Sequence, residues 1–290
     1  MKRRDFINRT PAMACMAAFL PGFLTDIHFM ERPDPVITVR GKVKADKIGF
    51  TLTHEHLLVD FIGAGKYDPE RWNDEEVIQS VLPYLEEIRT LGCKTFIDCT
   101  PEYIGRDPSL LLKLSEASGM NIVTNTGLYG AADNKYIPEY AYRESSVQLS
   151  DRWIREFEEG IGGTPIRPGF MKIGVAPGPL SEFHKKLVSA AALAHLKTGM
   201  TIASHTGPSV PAFGELKVLE EAGVHPEAFI WVHAQNEQDE EKHLQAAEMG
   251  AWVSLDGLST ENGDQYISWL KNFKKNDLLQ KVLISHDAGW

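Results

Sequence analysis

Residues 48–56 read Ile48-Gly49-Phe50-Thr51-Leu52-Thr53-His54-Glu55-His56, a β-type run that ends in two histidines. If this run is extended, His54 and His56 project to one side and Glu55 to the other, because side chains alternate along a strand. Working outward, the same unit recurs. A short apolar run ends in a polar residue, and an amphipathic stretch with helix start and stop signals follows. Strands are expected at 48–54, 94–98, 121–126, 169–174, 201–204, 229–232, 251–255 and 281–285. Helices are expected at 74–92, 107–119, 145–160, 181–198, 212–222, 237–249 and 263–276. Asp74 is the expected cap of the first helix. Asp107-Pro108 is a cap followed by a first-turn proline, and Gly92 and Gly119 are stop signals. Eight β runs separated by helices imply right-handed βαβ units closed into an α/β fold, the (β/α)8 or TIM barrel. Only Ala288, Gly289 and Trp290 follow the residue that ends strand 8. The barrel is therefore expected to lack its final helix, as a fragment would. A strand 8 left uncovered is expected to loosen Asp287 and to make the chain marginally stable.

Composition bounds the function classes. The chain has 290 residues, 43% hydrophobic and 24% charged, with a formal net charge of −10. An acidic protein repels a phosphate backbone, which argues against nucleic acid as a partner. No apolar run reaches the roughly 18 residues of a membrane span, so membrane insertion is not expected. Lys2, Arg3 and Arg4 followed by an apolar stretch from Ala12 to Leu24 read as a twin-arginine-type signal peptide. Residues 1–32 are thus expected to be leader and linker, and 33–290 one exported, periplasmic domain. Cys93 and Cys99 flank strand 2. In extended chain they lie roughly 20 Å apart, beyond the about 7 Å that a disulfide spans, so free buried thiols are expected.

On its own, His54-x-His56 fits either a metal pair or two histidines in a polar loop. Position adds weight. His205 ends strand 5, His233 ends strand 6 and Asp287 ends strand 8, all on the face where barrels of this kind place their chemistry. His184, His195 and His243 fall on helices, where solvent-facing or capping roles are expected, and His286 faces away from its neighbour Asp287. Lys172 lies inside strand 4, in Gly169-Phe170-Met171-Lys172-Ile173-Gly174. A buried ammonium is costly. Either it pairs with a barrel carboxylate such as Asp98 or Asp256, or the neutral amine condenses with carbon dioxide. The resulting carbamate is an anionic two-oxygen ligand able to bridge two cations.

These six residues, in this strand order, are accompanied by Gly49-Phe50-Thr51-Leu52-Thr53, Gly105-Arg106-Asp107 and Thr126-Gly127-Leu128-Tyr129. Over about residues 36–290 the pattern resembles the phosphotriesterase family of the amidohydrolase superfamily. The resemblance implies two divalent metal ions, usually zinc, with manganese, cobalt or iron accepted by related enzymes. It implies that His54, His56 and Asp287 hold the buried ion, that His205 and His233 hold the exposed one, and that carboxylated Lys172 and a hydroxide bridge both. The implied reaction is attack by that hydroxide on a lactone, carboxylic ester or phosphotriester, with Asp287 as general base. A small-molecule substrate and a homodimer are further implications.

Tyr129 matches a tyrosine found in lactone-opening members and is the candidate substrate contact; as a residue type it equally suits a loop aromatic packed on the barrel mouth. Those lactonases carry an arginine after strand 7, where this chain has Leu255-Asp256-Gly257. Tyr103, Trp72 and Phe61 are further pocket candidates. The alternatives are an amide or phosphoester hydrolase of the same superfamily and, in a different class, a non-catalytic metal- or ligand-binding barrel. The last would be expected to have lost ligands, and all six are present.

Overall fold

The computed structural model describes residues 35–289. The expected leader, with its arginine pair, lies outside the described residues. Eight parallel strands follow in chain order: β1 (Phe50–Glu55), β2 (Cys93–Asp98), β3 (Asn121–Val123 and Asn125–Thr126), β4 (Phe170–Gly174), β5 (Ile202–His205), β6 (Phe229–Val232), β7 (Trp252–Leu255) and β8 (Val282–Ile284). Each pairs with its neighbours in sequence order. At Thr124 the third strand breaks: its first piece ladders onto β2 and its second onto β4.

The seam between β8 and β1 is made differently. Asp287 N–H donates to His54 O (3.1 Å) and His56 N–H to Ala288 O (2.8 Å). The Ser285 hydroxyl accepts from Thr53 N and His54 N at 3.0 and 3.1 Å. These bonds close the (β/α)8 barrel with side chains standing in for part of a ladder.

Seven long helices wrap the barrel: α1 (Asp74–Thr90), α2 (Pro108–Ser118), α3 (Ser146–Glu159), α4 (Glu182–Thr198), α5 (Ser209–Glu221), α6 (Glu240–Met249) and α7 (Gly263–Lys275). Asp107 caps α2 through Leu110 N, and Ser145 with Gln148 forms a capping box on α3. The small residues Ala190, Ala191, Ala192 and Ala194 are fully buried on α4, which lets it lie close against its neighbours. Leu187 and Leu216 bury completely in the same cluster, each worth about 1.5–3 kcal/mol.

Three boundaries differ from expectation. Asn73, not Asp74, caps α1, its side chain accepting from Glu75 N and Glu76 N. Helix α5 starts at Ser209, with Pro211 tolerated in its first turn. Helix α6 starts at Glu240 behind the cap Asp239, while Glu237 turns back to accept from Ser209 N (2.8 Å). A hairpin not anticipated from the sequence, Val36–Thr38 with Gly41–Val43, joins β3 through Val39 N–H to Ile122 O. Cys93 and Cys99 are free and buried. No helix among the described residues is long and apolar enough to cross a membrane.

Candidate metal centre

Six side chains named from the sequence surround one point at the C-terminal mouth of the barrel. Period-2 alternation brings His54 to the barrel axis at the end of β1 and turns Glu55 away. Lys172 is buried in the middle of β4, and its Nζ lies 3.2 Å from His54 Nε2. Asp287 Oδ1 lies 3.2 Å from His54 Nε2 and 3.1 Å from His56 Nε2. The His233 ring stacks in with centroids 5.0 Å from His54 and 4.3 Å from His205. Tyr129 reaches the same cluster, its hydroxyl 3.1 Å from His205 Nε2. Two of these site residues carry left-handed backbone, His233 (φ 61°) and Asp287 (φ 52°). Such strain concentrates where function over-determines geometry.

Neither carboxylate offered from the sequence as a partner for Lys172 takes that part. Asp98 accepts from Leu57 N and Thr100 Oγ1. Asp256, at the end of β7, accepts from His54 Nδ1 (3.1 Å), His233 Nδ1 (2.6 Å), Ser254 Oγ (2.8 Å), Gln235 Nε2 (2.9 Å) and His233 N (3.1 Å). It falls with His54 and His233 in a group able to hold an ion, but five donors already saturate its two oxygens. Its hydrogen bonds hold both rings, and with Nδ1 protonated each Nε2 is free to ligate an ion. Thr100 Oγ1, 2.9 Å from His56 Nδ1, supports the third ring. The sequence reading missed both supports, although Asp256 ends its strand at the level of the ligands.

Electrostatics suits the donors to a cation. Burial, then the neighbouring Lys172, pushes His54 down to about 3 against the pull of Asp256. Burial and the neighbours His233, Lys172 and His54 hold His205 well below its ordinary value. Burial on its own would raise Asp287. The His56 hydrogen bond and the charges of His54 and His233 outweigh it and hold the carboxylate at about 2. Neutral imidazoles beside an ionised carboxylate are the form in which divalent metals are ligated.

Other expectations resolve differently. His184 and His243 are buried, not solvent-facing. His184 Nε2 donates to Gly130 O (2.9 Å), and His243 Nε2 to Ala234 O (2.7 Å). A cavity of about 350 Å³ opens over the centre, walled by Val59, Phe61, Pro101, Ile104 and Tyr129. Tyr103 and Trp72 sit apart from it, in an aromatic cluster with Tyr67.

The chain matches the model of the phosphotriesterase family over residues 35–289. It is similar to an aryldialkylphosphatase of Saccharolobus solfataricus, 27% identical over 86% of this chain and 79% of that one. It is also similar to an N-acetyltaurine hydrolase of Xenopus tropicalis, 29% identical over 87% and 83% of the two chains. Among solved structures it superposes on an organophosphorus hydrolase from Deinococcus radiodurans with a TM-score of 0.80 at 25% identity, over 89% of this chain and 82% of that one. With a match that spans every described residue, the chain belongs to the phosphotriesterase family and is a metal-dependent hydrolase.

Proposed function

We propose that the chain hydrolyses neutral, largely apolar esters at a binuclear centre: lactones, carboxylic esters or phosphotriesters. His54, His56, Lys172, His205, His233 and Asp287 would hold two divalent ions, with zinc the first choice. The observation that carries this reading is Lys172. Its amine is buried among metal-type donors, and among the described residues no carboxylate pairs with it. An amine so placed can add to carbon dioxide, losing one proton to become a bridging carbamate.

When bound, the ions would supply Lewis acidity and lower the pKa of a bound water to about 7. The protein does the rest. Asp256 and Thr100 hold the rings in register. Tyr129 occupies His205 Nε2, which leaves Nδ1 as that ring's ligating atom. Asp287, its side chain 37% exposed, faces both the centre and the cavity, and so can accept the proton of the attacking water and release it outward.

The cavity wall supports a neutral substrate. Among the described residues lining it, Lys172 is the only lysine or arginine. A sulfonate-tailed amide such as N-acetyltaurine would need a cation at that wall. Elemental mass spectrometry on protein purified without chelator should find about two metals per chain; one or none would remove the binuclear reading. A panel setting neutral aryl esters and lactones against anionic amides tests the substrate class, and preferential turnover of the anionic amides would overturn it.

A further inference from the structure

We infer that Glu55, between the two histidines of β1, is a positioning residue for Asp287. This rests on Asp287 being a ligand and proton acceptor. Glu55 is 1% exposed, and among the described residues no arginine or lysine pairs with it. Among the described residues, every hydrogen-bond partner of its side chain lies on the segment that carries Asp287. Oε1 accepts from Ser285 Oγ (2.7 Å), His286 N (3.0 Å) and His286 Nδ1 (3.0 Å). Oε2 accepts from Ala288 N (2.7 Å). The amides on both sides of residue 287 are therefore fastened to one carboxylate, and the residue between them adopts the left-handed backbone that aims its side chain at His54 and His56. Glu55 thus faces away from the centre and still sets one corner of it.

Glu55→Gln tests this, because it keeps the size of the side chain but turns an N–H donor onto an N–H of the segment. In metal-free protein, amide hydrogen exchange over 285–289 should rise about tenfold, with β4 and β5 unchanged. After metal loading, kcat for a p-nitrophenyl carboxylic ester should fall about 10–100-fold while KM stays near its wild-type value. Wild-type exchange and kcat in this variant would overturn the proposal. Should Glu55→Gln not fold, Ser285→Ala and His286→Ala decide, each removing one donor to Oε1. Faster exchange over 285–289 in His286→Ala supports the role, since Ser285→Ala also removes the seam bonds to Thr53 and His54, and no change in both refutes it. Wild-type protein that takes up no metal is a different failure, that of the centre itself, and the metal-free exchange experiment does not depend on it.

Discussion

Lys172 is the residue on which the proposed chemistry turns. Lys172→Ala should lose bound metal, and added formate or acetate should restore part of it by supplying the missing two-oxygen bridge. Metal content equal to wild type would remove the carbamate. A second buried group makes a prediction about stability. Glu215 on α5 accepts from Thr206 Oγ1 (2.6 Å) and from Ser204 Oγ, the residues on either side of His205. Burial is the largest influence and pushes its carboxyl up to about 8, although the two hydroxyls pull the other way. Between the ordinary value of 4.5 and about 8, the folded state keeps a proton that the unfolded chain gives up, so stability falls as pH rises through that window. Glu215→Gln cannot titrate, and its melting temperature should change less than wild type between pH 5 and 8. Parallel curves would show that the carboxyl is not the cause.

At the scale of elements, two helix histidines hold loops. His184 on α4 reaches Gly130 O and Asn134 Oδ1 (3.1 Å), at the ends of a turn whose Ala132, Asp133 and Asn134 all have left-handed backbone. Tyr129 leads into that turn. His184→Phe fills the space but strands two acceptors, at about 1–3 kcal/mol for a buried one. A lower melting temperature with a raised KM is expected, and an unaltered KM would detach the turn from substrate binding. This role could not be read from the sequence, since an imidazole on an amphipathic helix reads as polar surface until its packing is known. The strands and the order of ligands were legible because alternation and strand ends are local properties. The hairpin at 36–43, with three-residue strands, lacks enough periodicity to declare itself. At strand 8, Asp287 N–H donates to His54 O, and the residues on either side of it hydrogen-bond to Glu55.

For the whole molecule, a centre that draws on five strands couples metal to global stability. Saturating zinc at about 100 times its Kd should stabilise the fold by about 2.7 kcal/mol. Chelation should lower the melting temperature accordingly, and an identical transition with and without metal would mean that the ions contribute nothing to folding. The separation of the ligands also has a consequence for biosynthesis. His56 and Asp287 touch across 231 residues. At 5–20 residues per second, roughly ten to fifty seconds pass between their emergence from the ribosome. Through that interval the early histidines are without their carboxylate. The donor set proposed to hold the ions is therefore complete only after the last residues have emerged and the seam has closed.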